Sequence, residues 1–472
     1  MVIKMDIRIL FKRVKTLIIG NPRNPLDSTI FHKLSLIAIF AWVGLGSDAL
    51  SSASYGPEEA FLTLGQHIYL AIFVAIGIML TIFMISTSYS QIVELFPTGG
   101  GGYLVASKLL SPSFGMLSGC ALLIDYVLTI AISIASGADA IFSFIPIGWQ
   151  SIKLEFAILI MIIRILLNMR GVKESVISLV PIFIIFGITH IFVILYAFAT
   201  HLTNVPIVVH STVTDVNNVS TELGFAGLLF LILRAYSMGA GTYTGIEAVS
   251  NAMPILREPR IQTAKRTMRL MALSLAFMVI GLMFAYILYN VGPQSGKTLN
   301  AVLFESITKD WGGIGYYFVL ITLISEAALL FVAAQTGFLD GPRVLANMAL
   351  DRWVPTKFAT LSDRFVTQNG VLMMGTAALV MIIFAGGSVK FLIVLYSIAV
   401  FITFILSQAG MVRHWWQSKH KVTDWKKKLA VNGVGLVMTI FILASVIIVK
   451  FNEGGWITLL IIALFVGVVI II

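Results

Sequence analysis

Long apolar runs, separated by short polar or Gly/Pro-rich junctions, recur along the chain from residue 34 onward. A helix needs about 20 apolar residues to cross the hydrocarbon core of a bilayer. The pattern predicts twelve such spans, at 34–64, 68–95, 114–144, 154–167, 176–200, 223–252, 267–291, 313–339, 369–387, 389–410, 429–449 and 456–472. Glycine and proline punctuate most junctions, as in "FPTGGGGY", "NVGPQSG", "AGGS" and "NEGGW". The fold class expected is therefore all-α, a polytopic membrane protein. Composition agrees: 58% of residues are hydrophobic and 11% charged, less than half the charge of an ordinary soluble domain.

Two spans are interrupted by residues that a purely lipid-crossing helix would not carry. The first contains "GLGSDALSSASYGPEE" (Gly44 to Glu59), and the sixth contains "RAYSMGAGTYTGIEAVSN" (Arg234 to Asn251). Each has a Gly-x-Gly, small hydroxyl residues and an acid within a few residues. Clustered glycines permit unwinding, and irregular backbone at membrane depth is tolerated only where protein or a water-filled cavity satisfies its polar groups. Gly-interrupted spans at corresponding positions of two halves point to a transporter binding site. The two interrupted spans lie five apart, an odd number, so the halves have opposite orientation. The expected organisation is a basic segment 1–33, a first five-helix repeat 34–200, an inverted second repeat 223–410, and two further helices within 429–472. The stretch 201–222 is expected to be a polar connector.

The third span adds "LLIDYVLTIAISIASG", where Asp125, Thr129 and Ser133 recur every four residues and share one helix face. An acid at the centre of a spanning helix costs about 2.5–3.5 kcal/mol on insertion scales. Asp125 should therefore face the bundle interior. Arg234 is the basic residue beside the break of the sixth span, and it can neutralise one acid but not Asp48, Asp125 and Glu247 together. The surplus negative charge requires protons or a bound cation. Hydroxyl, carboxylate and carbonyl oxygens are hard ligands suited to alkali cations. Tyr55, Tyr126 and Tyr396 can add phenolic oxygens. Glu326, in the eighth span, is assigned no role.

The net charge of +10 would suggest nucleic acid if it were clustered on a domain. Mapped onto the spans, about 26 of the 32 Lys and Arg residues fall on one side of the membrane and about 5 on the other, a positive-inside bias. The expected location is the plasma membrane, with both termini cytoplasmic, surrounded by lipid and with no nucleic-acid partner. The single Cys120 excludes an intramolecular disulfide, and the seven histidines do not fall at metal-ligand spacings. His32 and His414 read as interfacial. "TGGGGYLVASK" lacks the Lys-Ser/Thr ending of a phosphate loop and no nucleophile–base pair stands out, so no enzyme and no cofactor is expected.

These motifs, with "FPTGGGGYLVASKLLSP" and "GPRVLANMALDRWVP", resemble the amino acid–polyamine–organocation superfamily and, within it, the KUP-type potassium importers of the KimA branch. The resemblance covers nearly the whole chain. It implies the LeuT-type fold of 5+5 inverted repeats plus two helices, with spans 1 and 6 broken. It also implies proton-coupled potassium uptake (K+/H+ symport) by a homodimer. By motif, it places the cation at Asp48, Tyr55, Asp125, Tyr126, Thr129, Ser133, Thr244, Glu247 and Tyr396. Glu247 is the candidate for proton coupling, with Asp48 second. Such importers continue after the twelfth span into a cytoplasmic domain that helps form the dimer, whereas this sequence stops at Ile472. The alternative is an amino-acid or polyamine transporter of the same fold. The acids would repel an amino-acid carboxylate but would accept a polyamine.

Overall fold

A computed structural model describes residues 36–170, 175–362 and 366–471. The basic segment 1–33 and the expected first residues of the first span lie outside the described residues. The helices in chain order are α1 (Ala38–Ser51), α2 (Gly56–Thr63), α3 (Ala71–Leu95), α4 (Gly101–Leu109), α5 (Pro112–Phe142), α6 (Lys153–Arg170), α7 (Ser175–Thr200) and α8 (Val205–Met238). They continue as α9 (Ala248–Asn251), α10 (Arg260–Leu288), α11 (Leu299–Thr308), α12 (Gly313–Leu350), α13 (Gln368–Phe384), α14 (Val389–Gln417), α15 (Trp425–Lys450) and α16 (Trp456–Ile471). Among the described residues there is no strand, only isolated bridges.

Eight helical segments are long and apolar enough to cross a membrane, against twelve expected spans. The difference has identifiable causes. The first span is divided after Ser51, and α13 has only 17 residues. Helix α6 carries Lys153, Glu155, Arg164 and Arg170. The two last spans run as one segment, Trp425–Ile471. The stretch 201–222 is not an irregular connector. It is largely helical, the first part of α8, which kinks at Gly224 (φ 73°, ψ 168°). Val208, Thr212 and Val219 bury one face of it, and His67 Nδ1 lies 2.7 Å from Asp215 Oδ1.

Helix α5 is the axis of the bundle: 83% of its most apolar window is buried, against 28% for the last segment. Its start is set by Pro112 in the first turn and by Ser111, whose hydroxyl accepts from the Phe114 amide at 3.4 Å. Its most extensive contact is with α12. Small residues allow this approach, as is usual where helices pack in lipid. A Cβ added at Gly337 of α12 would stand 2.7 Å from the Tyr126 carbonyl oxygen, and one at Gly119 of α5 would stand 2.6 Å from Met348 Sδ.

The backbone departs from regular α-helix in both interrupted spans. After α1 a 3-10 turn covers Ser52–Ser54, and α2 begins at Gly56 with Pro57 in its first turn. After α8 a 3-10 turn covers Gly239–Tyr243. Thr244 is extended (ψ 148°), Gly245 is left-handed (φ +82°), and helix resumes only at Ala248. The ends of the two spans are joined as well. The Leu36 amide donates to the Ile255 carbonyl and the Arg257 amide to the Leu36 carbonyl, both at 2.9 Å.

Candidate functional site

The two irregular segments touch each other. Ser52 Oγ donates to the Thr242 carbonyl at 3.1 Å. Gly56 leaves room for Thr242, since a Cβ there would fall 2.1 Å from Thr242 Oγ1. Gly241 does the same for Tyr55, with its ring carbon 2.9 Å from the missing Cβ, and Gly245 for Asp48, with Oδ2 also at 2.9 Å. Glycine at these positions thus serves close approach, and at Gly245 the left-handed backbone as well.

From this contact the site extends to the third span. Thr244 Oγ1 donates to Asp48 Oδ2 at 3.4 Å. Thr129 Oγ1 of α5 lies 3.4 Å from Thr244 Oγ1. Asp125, one turn back on α5, lies in the electrostatic field of Glu247 and Asp48. Tyr396 of α14 lies in the field of Asp125, Glu247 and Tyr55, and its hydroxyl faces Thr244. Asp48, Tyr55, Asp125, Thr129, Ser133, Thr244, Glu247 and Tyr396 are all at most 3% exposed. These eight residues expected from the sequence are therefore buried; seven gather on four elements around one meeting point, and Ser133 lies one turn beyond Thr129 on α5.

Tyr126 is the exception. Its hydroxyl accepts from Asn251 Nδ2 at 2.6 Å and so anchors α5 to the end of the sixth span. Asn251 also faces the glycine-rich loop. A Cβ at Gly101 would stand 2.1 Å from Asn251 Oδ1, and Gly99 and Gly101 both have positive φ. The sequence offered no signal for Asn251, because a polar residue at a helix end is unremarkable until its partners are known.

The chemistry is that of oxygen donors awaiting a partner. Asp48 Oδ1, both oxygens of Asp125, Ser133 Oγ, Glu247 Oε2 and the Tyr396 hydroxyl are buried without a hydrogen bond. The other Glu247 oxygen accepts from the Gly245 amide at 3.4 Å. Buried polar atoms are normally satisfied, and a cluster of exceptions calls for a specific explanation. Among the described residues no Lys or Arg forms an ion pair with Asp48, Asp125 or Glu247. Nor do three of His, Cys, Asp and Glu converge as a ligand set for a metal. A cation here would meet hydroxyl and carboxylate oxygens spread around it rather than a tight carboxylate cage, which suits a large monovalent ion better than a transition metal.

Arg234 does not turn inward to neutralise an acid of the site. Its guanidinium lies 2.6 Å from Glu453 Oε1, with the Arg side chain 46% exposed. Among the described residues the buried lysine is Lys450, at 0% exposure, donating to the Ser237 carbonyl at 2.8 Å and to Ser397 Oγ at 3.1 Å. The sequence pattern put Lys450 just past the eleventh span, where a lysine normally reaches solvent. Here α15 ends at Lys450 in a π-helical turn, Phe451–Gly455, and the side chain enters the bundle. Asp340 was also missed. It is buried and pairs with Arg343 at 3.1 Å.

The family model described as amino acid permease matches residues 34–472. The chain is 33% identical to the potassium transporter KimA of Bacillus subtilis over 451 residues, covering 94% of this chain and 71% of that protein. It is 22% identical to the lysine-specific permease LysP of Lactococcus lactis over 396 residues, covering 80% of this chain and 71% of that one. A solved structure of a mutant manganese transporter from Eremococcus coleocola superposes with a TM-score of 0.50 at 15% identity, covering 95% of each chain. At that identity the likeness concerns the fold alone. The extent of the family match and of the similarity to KimA identify the protein as a member of the amino acid permease family and, within it, a KimA-like transporter.

Proposed function

We propose that the protein is a secondary active potassium importer, coupling potassium entry to protons by alternating access. The observation that carries this reading is the set of unpartnered buried oxygens of Asp48, Asp125, Ser133, Glu247 and Tyr396. Asp48, Asp125, Glu247 and Tyr396 lie in one another's electrostatic field, and Ser133 is buried on the same helix as Asp125. Three buried carboxyls without a basic partner are compatible with a stable fold only if protons or a cation neutralise them. Potassium matches the oxygen donors. Protons match the carboxyls, which can be neutralised one at a time as the ion comes and goes. The similarity to the Bacillus subtilis potassium transporter supports the choice of ion.

The remaining architecture belongs to the same reading. The chain has twelve spans, with repeats 34–200 and 223–410 inverted with respect to each other, two further helices, and spans 1 and 6 broken at the site. It works in the plasma membrane as a homodimer, with both termini cytoplasmic. Access alternates by rocking of the helices around the fixed meeting point of the two breaks.

The rival reading is an organic-cation or amino-acid transporter, favoured by the family description and by the relative named as a lysine permease. An amino-acid carboxylate would lie against Asp48, Asp125 and Glu247 and be repelled, whereas a polyamine would not. Uptake of radioactive rubidium into proteoliposomes, competed separately by potassium, spermidine and lysine, separates them. Potassium should compete and the organic cations should not. Selective competition by spermidine or lysine would overturn the potassium reading.

A further inference from the structure

A second buried acid–base arrangement lies away from the cation site, between α7, α11 and α12. His190 is 0% exposed and Glu326 is 1% exposed, with His190 Nε2 3.4 Å from Glu326 Oε2. His190 Nδ1 lies 2.9 Å from the Phe186 carbonyl and 3.4 Å from the Thr189 hydroxyl. A carbonyl can only accept, so Nδ1 carries a hydrogen. That fixes the ring: in the neutral imidazole Nε2 is then an acceptor. It lies 3.4 Å from a carboxyl oxygen of Glu326 and makes no hydrogen bond. A neutral ring acceptor facing an ionised carboxylate in a buried interior is unfavourable, and a carboxylate without a basic partner at membrane depth is costly. One proton on the Nε2–Oε2 axis removes both problems, whichever atom holds it.

We propose that His190 and Glu326 form a second proton-binding site, whose proton is bound while α11 is seated and released when α11 moves. Helix α11 straddles the pair. Its Asn300 Nδ2 donates to both Glu326 oxygens, at 3.3 and 3.4 Å, and Phe304, one turn on, packs edge-on to the His190 ring at 5.3 Å between centroids. Asn300 cannot turn to follow Glu326, because its carbonyl oxygen accepts from the Tyr286 hydroxyl of α10. The same end of α11 is tied to the first span. The Leu299 amide donates to Glu58 Oε1 of α2 at 3.0 Å, and the Thr298 amide to Ser143 Oγ at 3.0 Å. Moving α2 against the bundle therefore pulls on the helix that encloses the pair.

The titratable groups around the pair are Tyr286 from α10 and Glu58 from α2. Farther out are the Lys153–Asp139 and Lys297–Glu305 ion pairs. None of these basic groups reaches Glu326. A surface cleft lined by Ser143, Gln150, Gly296, Glu305 and Thr308 runs beside α11. The binding of the proton stands on this geometry alone; its part in transport rests on the proton-coupled reading above.

The test compares the parent with His190→Gln, Glu326→Gln and Glu247→Gln. Glutamine at 190 keeps an amide donor toward Glu326 but does not titrate. Infrared difference spectra of the purified proteins between acidic and neutral pH should contain a carboxyl or imidazole band. Both His190→Gln and Glu326→Gln should remove it, and Glu247→Gln should keep it. In proteoliposomes, His190→Gln should alter the dependence of rubidium uptake on external pH, leaving the part that Glu247 carries. Absence of the band in the parent, or its survival in both variants, overturns the site whatever transport does. A parent that moves rubidium without protons while the band behaves as stated overturns symport and leaves the site standing. An unchanged external-pH profile in His190→Gln overturns its link to transport. If Glu326→Gln does not fold, His190→Gln alone decides the spectroscopic arm.

Discussion

Thr244 of the sixth span donates its hydroxyl to Asp48 of the first at 3.4 Å while lying 3.4 Å from Thr129 of the third. One side chain thus links three spans, and the backbone around it is the least regular at the centre of the bundle. The relationship explains why an acid, hydroxyl residues and glycines occur together in the interrupted spans. The hydroxyl needs an extended residue at 244, the extended residue needs a left-handed one at 245, and the left-handed one must lack a Cβ because Asp48 occupies that space.

Gly245→Ala should accordingly impair transport and stability together. A left-handed alanine costs about 1–2 kcal/mol, and its methyl would stand 2.9 Å from Asp48 Oδ2. Gly187→Ala is the control, since nothing lies within 4 Å of a Cβ there and alanine favours helix by about 0.5–1 kcal/mol. Thermal unfolding in detergent should show a lower Tm for the first and an equal or higher one for the second. Equal behaviour of the two would mean that the turn at 245 tolerates a side chain.

Asp125→Asn should abolish rubidium uptake and leave expression and Tm close to the parent. Both Asp125 oxygens are without a hydrogen bond, so the amide breaks no existing contact and removes only a charge that no neighbouring base balances. Uptake at the parental rate would place the ion elsewhere.

Much of this was legible in the sequence, because it depends on features that carry their own signal. Asp125, Thr129 and Ser133 share a helix face by spacing alone, and the glycine clusters marked both irregular segments. What was not legible depends on where side chains arrive in three dimensions. Lys450 lies at the end of an apolar run, and only the turn that follows it sends the ammonium inward. Tyr126 is adjacent to Asp125 and shares its motif, yet its hydroxyl reaches Asn251. Glu326 was visible as an acid in a span, but its partner His190 lies 136 residues away on a helix whose pattern reads as plain lipid-facing apolar sequence.

The contrast between two basic residues gives a third expectation. Arg234→Ala removes a partly exposed ion pair with Glu453 and should cost at most about 1 kcal/mol. Lys450→Ala leaves the Ser237 carbonyl and Ser397 hydroxyl without their donor in a closed interior, and should cost about 2–4 kcal/mol. Ser397 follows Tyr396, so rubidium affinity should change with Lys450→Ala as well. Thermal unfolding and equilibrium rubidium binding of the two variants check both parts. A larger loss with Arg234→Ala would show that the side chain turns inward during the cycle.

The last expectation concerns the proton. A coupled importer needs a group that is protonated on one side of the membrane and released on the other. Glu247 is placed for this. It lies at the end of the irregular segment of the sixth span, one oxygen accepting from the Gly245 amide at 3.4 Å and the other buried without a partner. A cation beside such a carboxyl favours its ionised form, and departure of the cation favours its neutral form. At one oxygen ion and proton therefore exclude one another, so carrying both in the same step requires the ion against one carboxyl and the proton on another. Asp48 is near enough to share the titration, so the two carboxyls act as a pair. Glu247→Gln fixes the neutral form. It should remove accumulation driven by an inward proton gradient while retaining rubidium exchange at equal pH on both sides. If instead Glu247 stays ionised throughout and only attracts the ion, the variant should lose exchange and accumulation alike. Uptake still accelerated by a proton gradient in Glu247→Gln would exclude Glu247 as the carrier and pass the role to Asp48, where Asp48→Asn repeats the measurement.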